Sequence, residues 1–527
     1  MRDFQKPGRS AVYAANGLCA TSHPLAAQVG VGLLQAGGNA VDAAIGAALV
    51  LGICEPQMTG IGGDAFALIR PAGGGDVVAL NASGRAPAGL SAAALRDAGH
   101  TRIPTYGIEA VTVPGAVDGF CRLHEAMGRL ELAQILAPAI RYADEGVPVA
   151  PRVARDWAEA GHLQGDGKRH FLPWGRPPHV GEMFAAPGQA EVLRRIAKQG
   201  RAAFYEGEVA EDMVASLQAL GGSHSLADFA TTEASWGSPI TGGYRGAEVL
   251  EHAPNGQGAT ALLLMAMLER HGIGALDALG AERLHLEAEA TRLAYDARDR
   301  FIADPDLPGA TARLAHMLAP ETAARLAALI DPDRSIGPVA ALTEEIHRDT
   351  VYLCVVDRDG MAVSLIYSVF HSFGSGLASD RFGIGFQNRG AGFTLTERHP
   401  NEAGGGKRPM HTIIPGMARL PEGGFMPFGV MGGAYQPVGH ARLISNLVDF
   451  GMDLQTAIDA PRAFNGPEGF AIETGYDADV LEALSARGHS PGWSDAALGG
   501  GQAIVIDPSG VLIGASDPRK DGCALGY

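Results

Sequence analysis

Hydrophobic positions near the start of the chain recur at helical spacing. Leu25, Val29 and Leu33 stand at i, i+4 and i+8, Gly37-Gly38-Asn39 interrupts, and an apolar run resumes at Ala40, so residues 24–53 read as two helices. The spacing then tightens. Phe66-Ala67-Leu68-Ile69-Arg70, the turn-forming stretch 71–76 and Val77-Val78-Ala79-Leu80 predict a hairpin. Residues 130–330 are mostly alanine- and leucine-rich helical segments, and over 282–301 the charges of Glu287, Arg292, Asp296 and Arg300 mark the expected solvent face. From residue 350 onward the pattern is one of short strands between glycine turns, with one further helix near 440–450. Helix-rich and strand-rich regions follow each other without a linker, which points to one interwoven α/β body. The stretch 400–407 reads as a surface loop in preference to a lid.

The sharpest boundary lies at Thr350. The polar stretch Glu344-Glu345-Ile346-His347-Arg348-Asp349 gives way there to Val351-Tyr352-Leu353-Cys354-Val355-Val356. The turn Asp357-Arg358-Asp359-Gly360 and a second apolar run, 361–367, complete a hairpin of buried strands. On spacing alone Thr350 is a strand-edge threonine. A chain break before it would put an α-amine, with a pKa of about 8, within reach of its own hydroxyl and supply a general base without a histidine.

Composition narrows the classes. The 527 residues are 46% hydrophobic and 19% charged, as in a globular protein with a large core. The net charge of −17 and the lack of a basic, aromatic-studded stripe argue against nucleic acid. The longest apolar stretch is too short for a bilayer and the N-terminus carries no leader-like apolar region, so a cytoplasmic location and no membrane partner are expected. Five scattered cysteines form neither a disulfide framework nor a zinc motif.

Apparent motifs elsewhere fail on context. Gly60-Ile61-Gly62-Gly63-Asp64-Ala65 matches a dinucleotide fingerprint, but strand and turn chemistry follow it where a helix is required. His371, His399, His411 and His440 stand at no ligand spacing, and the serine in Gly374-Ser375-Gly376 serves a turn. No cofactor and no metal are expected.

Several ordered segments together resemble the γ-glutamyltranspeptidase family of N-terminal nucleophile hydrolases. They are Gly37-Gly38-Asn39-Ala40-Val41-Asp42-Ala43-Ala44 with Glu55-Pro56 and Thr59-Gly60-Ile61-Gly62-Gly63, then Val113-Pro114-Gly115, Pro138-Ala139-Ile140, Phe204-Tyr205-Glu206-Gly207, Gly514-Ala515-Ser516-Asp517-Pro518-Arg519 and the final Gly526-Tyr527. The resemblance implies a four-layer αββα sandwich. It also implies a proenzyme that cuts itself between Asp349 and Thr350 into a large subunit, 1–349, and a small one, 350–527. The two would stay associated, with a dimer of heterodimers as one assembly open to them. Thr350 is then the nucleophile, Ser368 occupies the family's second threonine position, and Gly432-Gly433 match its oxyanion glycines.

The pocket departs from the family pattern. Arg389 stands where transpeptidases carry Gln or Glu, and Gly392 where they carry the aspartate that receives an α-ammonium. Phe370 replaces an asparagine, His411-Thr412 replace a serine pair, and the carboxylate-clamping arginine is displaced to Arg85, two residues beyond Ser83. If residues 80–85 are extended, that shift keeps the side chain on one face. The combination favours an anion over an amine. It resembles the branch with oxamate amidohydrolase and the cephalosporin acylases. The expected substrate is a small molecule whose acyl group bears a carboxylate: an oxamate-like dicarboxylic monoamide first, a glutaryl amide second. Glutathione hydrolysis or γ-glutamyl transfer is the alternative, and an unprocessed, inactive scaffold is the alternative of another class.

Overall fold

The computed structural model describes residues 5, 8–337, 350–466 and 469–527. Asp349, the expected scissile residue, lies outside them. Two seven-stranded sheets are found among the described residues. One runs, edge to edge, through Cys523–Gly526, Gly17–Thr21, Val351–Asp357, Ala362–Ser368, Asp64–Arg70, Val78–Ala82 and Ser235–Gly237. The other runs through Val12–Ala14, Leu512–Ser516, Gly500–Ile506, Phe425–Met431, Gly416–Arg419, Ala247–Glu251 and Ile240–Tyr244. All neighbouring strands in both are antiparallel.

Alternation along Val351–Asp357 shows how the layers form. Val351, Leu353 and Val355 pack into the core beneath the helices Pro24–Gln35, Ala40–Cys54, Ala116–Met127 and Leu132–Glu145, whereas Tyr352, Cys354 and Val356 enter the core between the sheets. On the far side Gly258–His271, Ala281–Phe301 and Gln436–Val448 cover the second sheet. The result is the expected αββα sandwich. Ala40–Cys54 is buried along its whole length, and an Asn39–Asp42 capping box starts it. Asp357 accepts a hydrogen bond from the Ala40 N–H at 3.0 Å, tying the helix to the end of the Val351–Asp357 strand.

Strands from before and after residue 349 share the first sheet, with Gly17–Thr21 lying between Cys523–Gly526 and Val351–Asp357, so residues 1–349 and 350–527 are not separate lobes. Other contacts cross the same boundary. His285 and His489 are hydrogen-bonded at 2.7 Å, and Glu289, one turn on from His285, lies 3.8 Å from His489 Nε2.

Two local expectations are corrected. Glu287 is buried and bridges Arg283, at 2.8 Å, and Arg442, at 2.5 Å; two guanidinium groups compensate a charge that periodicity placed in water. The strand-rich half holds two more helices, Leu454–Asp459 and Ala478–Ala486, both too short for the 3.6-residue pattern to stand out. The stretch 400–407 is the expected surface loop, with Gly405 and Gly406 exposed, but it is pinned near its start, where the buried Asn401 donates to the Gly392 carbonyl at 2.6 Å. No helix among the described residues is long and apolar enough to cross a membrane.

Candidate active site

Register brings three polar side chains together. Val351 pairs with Tyr367 and Ser368 pairs with Asp64, so Thr350, Ser368 and Asp64 stand side by side at one end of three adjacent strands. All three are fully buried, and strand alternation turns them toward the space between the sheets. The Thr350 hydroxyl donates to Ser368 Oγ at 3.2 Å, and Ser368 Oγ also accepts from the Phe370 N–H at 2.8 Å. That second bond bends the chain away from the sheet into Phe370, whose φ of 84° is a strained conformation for a residue with a β-carbon.

Phe370 carries the next contact. The Arg389 guanidinium lies 3.9 Å from the centre of its ring and donates to Thr412 Oγ1 at 3.1 Å. Gln257 links this wall to the opposite sheet by donating to the Thr412 carbonyl, at 2.7 Å, and to the Gly433 carbonyl, at 3.0 Å. Gly432 and Gly433 directly follow the strand Phe425–Met431, with φ of 127° and 55°. Earlier in that strand Gly429 backs onto Tyr352, and a β-carbon there would lie 2.4 Å from the ring. The site is thus a continuous set of contacts from Thr350 through Ser368, Phe370, Arg389, Thr412 and Gln257 to Gly433.

Asp64, missed by the sequence reading, lies beneath this set. Its Oδ1 accepts from the N–H groups of Gly84, at 2.8 Å, and Gly115, at 3.1 Å, and from Gln387 Nε2 at 2.9 Å. Its Oδ2 is 3.2 Å from His411 Nε2. Burial pushes the carboxyl up to about 6, opposed by Arg389 and by those hydrogen bonds. The one available signal was an acidic residue in an inward-facing strand position, within the failed nucleotide motif. His371, beside Phe370, is lowered to about 3 by burial and then by the charge of Arg389.

A cavity of about 550 Å³ opens beside the site, lined by Phe370, His371, Gly392 and Met410 at one side and by Ile103 and Phe393 among others. A β-carbon at Gly392 would meet the Met410 carbonyl oxygen at 2.6 Å, so this backbone has no room for an acidic side chain there. Arg85 follows the strand Val78–Ala82 and is engaged elsewhere: it pairs with Asp306 at 2.6 Å and Asp304 at 3.4 Å, with its side chain 38% exposed.

Residues 26–527 match the family model described as Gamma-glutamyltranspeptidase. The chain belongs to the gamma-glutamyltranspeptidase family. Within that family it is 35% identical over 522 residues to the Glutathione hydrolase-like YwrD proenzyme of Bacillus subtilis, covering 96% of this chain and 97% of the relative. It is also 35% identical over 532 residues to the Oxamate amidohydrolase proenzyme of Klebsiella pneumoniae, covering 97% and 98%. The crystal structure of cephalosporin acylase from Bacillus halodurans superposes with a TM-score of 0.90 at 39% identity, covering 100% of this chain and 99% of that one. The fold is therefore common to the whole chain, and Thr350, Ser368 and Gly432-Gly433, singled out in the sequence, fall in one connected region.

Proposed function

We propose that the protein is a proenzyme cut between Asp349 and Thr350, and that the new N-terminal threonine hydrolyses amides whose acyl group carries a carboxylate. It is a C–N hydrolase of the N-terminal nucleophile type, as its relatives' names indicate. In self-cleavage the Thr350 hydroxyl attacks the Asp349 carbonyl carbon, the acyl group moves from nitrogen to oxygen, and water releases the resulting ester. The freed α-amine then takes the hydroxyl proton as Thr350 attacks the substrate carbonyl. The substrate C–N bond breaks, the leaving amine carries that proton away, and water attacks the acyl-enzyme ester to release the acid. Gly432 and Gly433, without side chains, let backbone N–H groups approach the oxyanion, and Ser368 orients the nucleophile.

The observation that carries the substrate reading is the buried Arg389, fixed between Phe370 and Thr412, with Gly392 closed against Met410. A held guanidinium suits a carboxylate, and Gly392 leaves no place for the acidic group that would hold an α-ammonium. Thr412 and His411 complete the anion-binding wall. Glutathione hydrolysis is the second reading, favoured by the name of the YwrD relative. Processed protein should release ammonia from oxamate, or cleave a glutaryl amide, faster than it cleaves a γ-glutamyl anilide. A faster γ-glutamyl reaction reverses the order of the two readings.

A further inference from the structure

We propose that Asp64 is a specificity-determining positioning residue, whose carboxylate sets how strongly Arg389 attracts a substrate carboxylate. The proposal rests on the reading of Arg389 as the carboxylate-binding cation. Asp64 is fully buried at the head of Asp64–Arg70, directly across the ladder from Ser368, and it contacts Gln387 and His411. Gln387, which donates to Asp64 Oδ1 at 2.9 Å, stands two residues before Arg389 in the chain. His411, 3.2 Å from Asp64 Oδ2, stands next to Thr412, the hydroxyl that receives the Arg389 hydrogen bond. Phe66, two residues along the same strand, packs against the His411 ring with centroids 4.7 Å apart. One carboxylate therefore fixes the segment leading to the cation and the loop that orients it.

The charge balance follows from this placement. Arg389 interacts electrostatically with Asp64, and Arg408 feels the same carboxylate. In a buried site, fixed charges act over several ångströms with little screening, so the negative charge of Asp64 offsets part of the field a substrate carboxylate meets at Arg389. Removing that charge while keeping the hydrogen-bonding shape strengthens anion binding and leaves the bond-breaking step, centred on Thr350, in place. Asn is the matching substitution: its Oδ1 accepts from Gly84, Gly115 and Gln387, and its amide N–H faces His411 in the other tautomer.

The experiment compares wild type, Asp64→Asn, Arg389→Met and the double variant as processed protein, on an amide whose acyl group bears a carboxylate and on the neutral methyl-ester analogue. Asp64→Asn should lower KM for the charged amide about tenfold, keep kcat within about twofold, and leave the neutral amide unchanged. Arg389→Met should raise KM for the charged amide, and Asp64→Asn should have no further effect in that background. If Asp64→Asn does not accumulate as folded protein, Asp64→Ser removes the same charge with a smaller polar group. An unchanged KM in both Asp64 variants, or an equal shift on the neutral amide, overturns the proposal while Arg389 keeps its role. An Arg389→Met enzyme with undiminished preference for the charged amide overturns the reading of the pocket itself.

Discussion

Replacing Ser368 by alanine removes one oxygen and strips the acceptor from two buried donors. Its Oγ receives the Thr350 hydroxyl at 3.2 Å and the Phe370 N–H at 2.8 Å, and the side chain is fully buried, so water has no ready route to replace it. A buried donor left without its acceptor costs about 1–3 kcal/mol, and the two together put the expected loss of stability at about 2–6 kcal/mol. The effect on chemistry is separate. An unanchored Thr350 hydroxyl samples rotamers that do not face the carbonyl, and losing about 2 kcal/mol of orientation in the transition state lowers kcat roughly 30-fold. Ser368→Thr keeps the hydroxyl and should retain most of the activity, with a stability loss of about 1 kcal/mol from the added methyl group. Ammonia release under saturating substrate gives kcat, thermal unfolding gives stability, and denaturing gels over time give the rate of self-cleavage. A Ser368→Ala protein that processes normally and turns over within twofold of wild type refutes the role given to this hydroxyl.

Other substitutions test the surrounding frame. Gly84→Ala places a β-carbon 1.5 Å from the Val113 carbonyl oxygen, a clash with backbone that cannot rotate aside; unfolding experiments should show a loss of about 3 kcal/mol or more, with poor processing. Arg85→Ala removes a partly exposed ion pair with Asp306 and Asp304, so stability should change by at most about 1 kcal/mol and KM for a carboxylate-bearing amide by less than about twofold; a tenfold rise in KM makes Arg85 the clamp instead. Stability should also fall on acidification. Burial lowers His23, His224 and His252 to about 4, so each contributes stability above about 6.5 that is lost as the pH drops toward 4. Glu55, raised to about 7, and Asp64, raised to about 6, act in the opposite sense and are relieved over the same range. The three histidines outweigh the two carboxyls, so the urea midpoint should fall between pH 7 and pH 5. A midpoint that rises on acidification contradicts this balance.

Thr350 was legible in the sequence because two independent signals coincide there, a polar-to-apolar switch and an ordered set of family segments on either side. The sandwich was legible only through the family segments: the apolar runs 351–356 and 40–54 by themselves describe a buried strand and a buried helix in one α/β body, and do not fix how the layers stack. Asp64 was not legible, because its place beside Ser368 comes from register. Nothing local shows that it stands opposite Ser368, 304 positions away, or that His411 closes over it from a third element. Glu287 misled for the same reason. On a helical wheel it is an exposed acid, and the arrival of Arg442 from another helix, added to Arg283 one turn back, makes burial tolerable. Arg389 fell between these cases: its unusual identity was visible against the family pattern, but its attachment to Phe370 and Thr412 needed the fold.

The central claim is tested most directly by N-terminal sequencing and intact-mass measurement of purified protein beside its Thr350→Ala variant. The 54.5 kDa chain should separate into two fragments, the smaller beginning Thr350-Val351-Tyr352, and the variant should remain one inactive chain. A variant that still splits at this point, or a wild-type chain that hydrolyses amides without splitting there, contradicts the account.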